Sequence, residues 1–305
     1  MDHLERRMNP AITSDMAMPC EEWTERARHH VSILSEVVEP HRLERTLGRR
    51  HPVYDFLFSY YSFSRGQLLR WSPGIDVVLE LGQVIDLPWS DFYCIEGSAG
   101  KIDVRYFPER RIPYLDWAIS FLKGSYDRPP TFHCFGLHEW AMVYRSSERH
   151  HPEVPLRVSG QVLEACIEEN QLCCTHYDAF RFFTPKAKPQ NKFPLKRESV
   201  PEYEQPGCIH ANMDLYKFGY KIAPFISSDL LRELFFLARK AREIDMRASP
   251  YDLAEYGFSP ICVETKEGRE MYVRAQRGLY LEAQKLRISL LEAYQMLRAE
   301  AGKKI

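Results

Sequence analysis

Two stretches near the C-terminus leave this chain little choice of fold class. In SDLLRELFFLARKAREIDM the residues Leu230, Leu231, Leu234, Leu237, Ala238, Ala241 and Ile244 recur at three- and four-residue steps, the repeat of a helix with one buried stripe. Ser227 or Ser228 supplies a hydroxyl to cap its first turn. From about Glu267 to Ala299 the same steps carry Leu279, Ala283, Leu286, Leu290, Ala293 and Leu297. Such a seam packs on its own domain or on a second copy of the chain, so monomer and homodimer both stay open.

The rest of the chain follows suit. Trp23, Ala27, Val31, Ile33, Leu34 and Val37 turn inward from a helical pattern that runs from Glu21 to about Gly48, with a break at Pro40. A second helix is predicted from Pro52, with Val53, Phe56, Leu57, Tyr60 and Tyr61 at helical spacing, and another carries Ile112, Leu115, Ala118, Ile119 and Leu122. Only residues 75–107 change character. There IDVVLELG, FYCIEG and KIDVRYF are short β-branched or aromatic runs divided by SPG, LPWSD and GSAG. The expectation is a mainly α, helical bundle-like single domain over residues 20–305, interrupted by a small antiparallel β insertion. Residues 1–19 show no periodicity and are predicted to form a flexible tail.

Composition excludes some functions. With 305 residues, 45% of them apolar, the chain can bury a large core. Its net charge of −1 gives no overall attraction to nucleic acid or anionic lipid, so a polyanion would have to meet a local patch. The eight cysteines form no C-x-x-C pair and fit reduced thiols. No run approaches the roughly 20 apolar residues of a membrane span, and MDHLERRMNP lacks the apolar centre of a leader. A cytoplasmic protein with no membrane partner is expected.

Chemistry concentrates in HANMDLYKFGY. His210 and Asp214 stand one helical turn apart, with Lys217 three residues beyond, among Met213, Leu215, Tyr216, Phe218 and Tyr220. An ionisable group in such a setting is costly without a partner. One buried His–Asp pair need only orient a helix, but the pattern repeats. His51 and Asp55 share the same spacing, His138 and Glu139 are adjacent, His176 and Asp178 lie in CCTHYDAFRFF, and Asp245 ends a strongly apolar helix. Five such placements suggest a shared interior site. His138 and Glu139 do not form the H-E-x-x-H zinc signature, because position 142 is methionine. After Arg181, the residues Lys186, Lys188, Lys192, Lys196 and Arg197 occupy a proline-broken stretch beside Phe180, Phe182 and Phe183. Cations next to aromatic rings can hold phosphate while a base stacks, and a solvated basic loop is the plainer alternative.

These residues carry a resemblance. HPVYDFLFSYYS, CFGLHEWAMVYR, PLR, CTHYDAFRFFTP, EQPGCIHANMDLYKFGYK and DMRASPYDL resemble the motifs of a bacterial family known by the name 3-methyladenine DNA glycosylase, over about His51 to Arg277 except for the strand-like insertion. The resemblance implies hydrolysis of the N-glycosidic bond of an alkylated purine in base excision repair, on a DNA or nucleotide substrate and without a cofactor. It implies a carboxylate from Asp214, Asp178 or Asp55 to stabilise an oxocarbenium ion or activate water, with His210, His176 and Glu139 completing the catalytic set. Tyr216, Phe180 and Trp140 would stack on the base, and Arg181, Lys186, Lys188 and Lys217 would meet phosphate.

The residues by themselves support a second chemistry equally well. His51, Asp55, His138, Glu139, His176, Asp178, His210 and Asp214 offer imidazole and carboxylate ligands of the kind that hold zinc, iron or manganese between the helices of a bundle. Their spacing does not form the E-x-x-H pairs of ferritin-like di-iron proteins.

Overall fold

The structure, a computed structural model, describes residues 17–82, 86–147, 149 and 151–303. In chain order the helices are α1 (Cys20–Thr46), α2 (Phe56–Ser59), α3 (Arg65–Leu69), α4 (Ile112–Asp127), α5 (Leu137–Ala141), α6 (Gly160–Glu168), α7 (Tyr177–Phe180), α8 (Val200–Tyr203), α9 (Ile209–Met213), α10 (Leu215–Lys221), α11 (Ser228–Arg247) and α12 (Lys266–Gly302). The chain is mainly α. Its one described sheet has β1 (Val78–Glu80), β2 (Tyr93–Glu96) and β3 (Ala99–Ile102) in the order β1-β3-β2, all antiparallel. The β insertion thus falls where the short apolar runs placed it. Most of the predicted tail lies outside the described residues, but Met18 pairs with Leu79 beside β1, so the segment just before α1 is tied down.

The frame is α12 packed against α4 and α11, with α9 and α10 held between α11 and α12. The buried stripe of α12 runs through Tyr272, Gln276, Leu279, Ala283, Arg287, Leu290, Tyr294 and Leu297. It is satisfied within the chain, against the helices just named. Fully burying one such Leu contributes about 1.5–3 kcal/mol. Two polar members of the stripe have a separate task. Gln276 Nε2 donates to the Gly207 carbonyl at 2.7 Å and Arg287 Nη2 to Asn212 Oδ1 at 2.8 Å, clamping α9 at both ends.

Three local expectations need correction. α1 does not break at Pro40 but continues to Thr46. Pro40 is exposed, and the buried Val38 and His41 on either side anchor the helix across the missing hydrogen bond. The helix predicted from Pro52 is four turn residues and then the single turn α2, so Asp55 stands just before the helix, at its N-cap position, rather than inside it. His51 Nδ1 accepts the amides of Val53 and Tyr54, each at 3.3 Å, which spends its lone pair on the turn. Finally, HANMDLYKFGY is two helices that meet at Asp214, whose backbone (φ −70°, ψ −10°) ends α9 and starts α10.

α1 also carries a pH-sensitive joint. His30 is fully buried; its Nε2–H donates to the Leu68 carbonyl at 2.9 Å, and its Nδ1 accepts from Arg232 at 3.3 Å. Burial pushes its pKa down, and Arg232 adds to that against the pull of the Leu68 carbonyl. A pKa lower in the folded than in the unfolded chain means stability that is full above the unfolded value of about 6.5 and is lost as pH falls through the folded value. Between pH 7 and pH 5 the His30→Gln variant should therefore lose less stability than the parent, by up to about 1.4 kcal/mol per pH unit. Denaturant midpoints at the two pH values check this, and parallel curves would refute it.

Candidate metal centre

The site begins at the last turn of α11, where Arg242 and Asp245 stand three residues apart and fully buried. A carboxylate at a helix C-terminus faces the negative end of the backbone dipole, so something else must hold Asp245. Arg242 Nη1 donates to its Oδ2 at 3.0 Å and His138 Nε2 to its Oδ1 at 2.6 Å. His138 comes from α5, which Gly136 starts in the left-handed region at φ +74°. A Cβ on that glycine would lie 2.9 Å from the Cβ of Ala248, so glycine lets α5 press against the end of α11. Adjacent residues on a helix point about 100° apart, and Glu139 uses the difference. It accepts from the same Arg242 Nη1 at 3.0 Å.

α9 and α10 bring the second half. His210 packs edge-on against His138 at 4.5 Å between ring centroids and lies nearly parallel to His176 at 5.2 Å, so three imidazoles form a row. Two groups of donors meet there. His138, His210 and Asp245 can present atoms that all lie within 4.8 Å of one another, and so can His176, Asp178 and Asp214. His210 Nε2 is 3.8 Å from Asp245 Oδ2, and His176 Nε2 is 4.0 Å from Asp214 Oδ2. On its far side His176 Nδ1–H donates to Glu204 Oε2 at 3.0 Å. That contact fixes the tautomer and leaves Nε2 facing the aspartates, the arrangement in which carboxylate-bound histidines ligate metals.

Each carboxylate is anchored. Tyr61 Oη donates to Asp214 Oδ1 at 3.0 Å and Tyr60 Oη to Asp178 Oδ2 at 3.0 Å, while Lys217 Nζ spans Asp214 at 3.0 Å and Asp178 at 3.4 Å. Arg242 and Lys217 thus each bridge two carboxylates; with Glu204 on His176 and Arg181 on Asp178, five anions face three permanent cations and two negative charges are left over. The histidines respond. Burial opposes charge on His138, yet Asp245 outweighs it and raises the imidazole well above its ordinary value. Burial is likewise overcome at His176 by Glu204. His210 goes the other way, held well below its ordinary value by burial and then by His138, so it is a neutral imidazole with a lone pair to give. Against their own burial, Asp245 is held low by His138 and Asp178 by Lys217. Two protons on imidazoles, or one divalent cation, would offset the surplus charge. Nitrogen and carboxylate oxygen donors in this mixture suit zinc, iron or manganese.

Two of the three imidazoles, His176 and His210, line a cavity of about 330 Å³ whose walls include Phe56, Tyr60 and Phe182, with His138 buried behind them. His176, Asp178, His210, Asp214 and Glu139, which the sequence singled out, all line it. Four residues that sequence reasoning did not single out take part too: Arg242, Tyr60 and Tyr61 line the cavity, and Glu204 backs His176 from its far side.

Other expectations fail on geometry. His51 and Asp55 do not join this centre; Asp55 is bound by His41 and Arg45 in a neighbouring cavity. Trp140 cannot stack on a substrate, because it is fully buried, donates to the Ala248 carbonyl at 2.8 Å and lies under Arg157. Tyr216 is also fully buried, packed on Tyr61, Tyr220 and Phe235. Phe180 packs on Phe183, and the ring on the cavity wall is its neighbour Phe182. Arg181 lies over Phe182 at 4.5 Å and pairs with Asp178 at 3.4 Å, at the rim. Lys186 and Lys188 are exposed and do not line the cavity. Cys134 lies 3.5 Å from His138 Nδ1, and burial raises the neighbouring thiols of Cys173, Cys174 and Cys208, which makes them poor nucleophiles.

No helix of the described residues is long and apolar enough to cross a membrane. No protein-family model matches the chain, and neither a curated protein nor a solved structure does.

Proposed function

We propose that this chain is a His/carboxylate metal-dependent enzyme that uses zinc, iron or manganese on a small molecule or nucleotide. The observation that carries this reading is the pair of donor groups, His138–His210–Asp245 and His176–Asp178–Asp214, meeting at the stacked rings of His176 and His210 beneath a cavity. A bound cation would polarise a substrate oxygen and lower the pKa of a bound water. The chain's own groups do the rest. Glu204 orients His176 through Nδ1, and Arg242 and Lys217 hold the carboxylates in place. Asp178, ionised and partly open to the cavity, accepts a hydrogen bond from a substrate hydroxyl or water. Tyr60 remains a phenol, because burial and then Asp214 raise its pKa, and its O–H holds Asp178 at the same wall. Phe56 and Phe182 limit water.

Elemental mass spectrometry on untagged protein tests this. About one or two zinc, iron or manganese ions per chain are expected, with loss in His210→Ala and in Asp214→Ala. Metal-free parent protein, or variants that keep the metal, would overturn the assignment. A second reading, hydrolysis of the N-glycosidic bond of an alkylated purine, is favoured by the aromatic walls Phe56, Tyr60 and Phe182 facing the Asp214 carboxylate. Release of 3-methyladenine from alkylated DNA in the presence of a chelator would select it, and no release would remove it.

A further inference from the structure

We infer that the cavity next to the candidate centre is an anion subsite that takes a phosphate group of the substrate, which makes the substrate class a phosphate ester such as a nucleotide. The inference rests on the reading of the neighbouring cavity as the reaction site. This second cavity, about 420 Å³, lies between the C-terminal half of α1 and the turn before α2. It shares Phe56, Ser59 and His151 with the first, so the two are limbs of one cleft.

Three guanidiniums, Arg45, Arg50 and Arg65, line it against the carboxylates of Asp55 and Glu153, leaving a positive surplus. Their arrangement is unusual for arginines held only for structure. Arg65 forms no ion pair among the described residues. It donates through Nε and Nη2 to His41 Nδ1, at 3.0 and 2.7 Å, and lies over the Phe58 ring at 4.8 Å. Because His41 Nδ1 accepts, its proton is on Nε2, where it donates to Asp55 Oδ1; the imidazole is neutral and gives Arg65 no counter-charge. Burial and then the like charge of Arg45 lower the pKa of Arg65, so two guanidiniums face one space and repel across it. Asp55, the carboxylate nearest them, is already engaged by His41 and Arg45. A doubly charged phosphate meets these conditions, since planar guanidiniums bind it in bidentate fashion and it replaces their repulsion with attraction. A phosphate held there would place the adjoining part of the same molecule past Ser59 and Phe56, over His176 and Asp214.

Calorimetric titration of the full, chelator-treated chain tests this. The probes are inorganic phosphate, adenosine 5′-monophosphate and adenosine, against the parent, Arg65→Gln, Arg50→Gln and the surface control Lys186→Ala/Lys188→Ala. Saturable phosphate binding is expected in the parent, weakened about tenfold or more in Arg65→Gln and unchanged in the control. Arg50 is exposed, so Arg50→Gln, expected to weaken binding less, keeps the test decisive if Arg65→Gln fails to fold. Tighter binding of the nucleotide than of phosphate, with none of adenosine, assigns the site to a nucleotide's phosphate; equal binding of phosphate and nucleotide assigns it to the free anion and overturns the ester. No saturable phosphate binding, or loss only in the lysine control, overturns the subsite. Because metal is stripped beforehand, arginine-dependent binding by a chain that elemental analysis found metal-free as purified would sink the metal centre and leave the anion subsite standing.

Discussion

Arg242→Met should lower folding stability by about 3–5 kcal/mol, the largest loss expected from any single substitution in this centre. Arg242 is 2% exposed and its guanidinium bridges Glu139 and Asp245, both buried, while lying over the Phe56 ring at 4.5 Å. Methionine fills much of the same space and keeps the contact with Phe56, so the loss measures charge rather than volume. What remains is two carboxylates in an apolar interior with only His138 to answer them, and an unpaired buried charge costs far more than the pair contributes when whole. Arg242→Lys should fall between, since an ammonium cannot span both carboxylates with the same planar geometry. Urea unfolding at pH 7.5 checks the series. A loss below about 1 kcal/mol in Arg242→Met would show that the network is not what holds α5 to α11.

Asp245→Asn should have the opposite profile, modest in stability and severe in metal affinity. Asparagine keeps the shape, can still accept from His138 Nε2, and leaves Arg242 paired with Glu139. Removing this carboxylate relieves the unfavourable helix-end charge on α11, so the fold should lose no more than about 1–2 kcal/mol. Yet Asp245 is, among the described residues, the one anion in contact with both His138 and His210, and it completes one of the two donor groups. Its loss should weaken zinc binding by about 100-fold or more, read by competition with a chromophoric chelator. Unchanged affinity in a folded variant would remove Asp245 from the centre. The comparison is informative because the two substitutions break the same ion pair from opposite ends.

The sequence determined the helices by itself wherever one buried stripe ran for many turns, as in α11 and α12, because that periodicity belongs to a single element and needs no partner to be read. It also marked His138, Glu139, His176, Asp178, His210, Asp214 and Asp245, since a charge in an apolar run must find a partner wherever the run is buried. Which partner it finds is a different matter. His51 and Asp55 carried the same spacing as His210 and Asp214, yet the turn at Pro52 spends the His51 lone pair and turns Asp55 toward His41 and Arg45. Arg242 was invisible because it stands beside Arg239, Lys240 and Glu243 and outside the stripe of Leu237, Ala238, Ala241 and Ile244, and Glu204 because PEYEQPG has no period at all. Only packing decided those placements: the left-handed start of α5 at Gly136, the joint at Asp214, and the clamp of Gln276 and Arg287 on α9 bring together side chains from segments far apart in the chain. Local periodicity states which face of an element is buried, whereas convergence on one cavity depends on how several elements cross, which no single segment encodes.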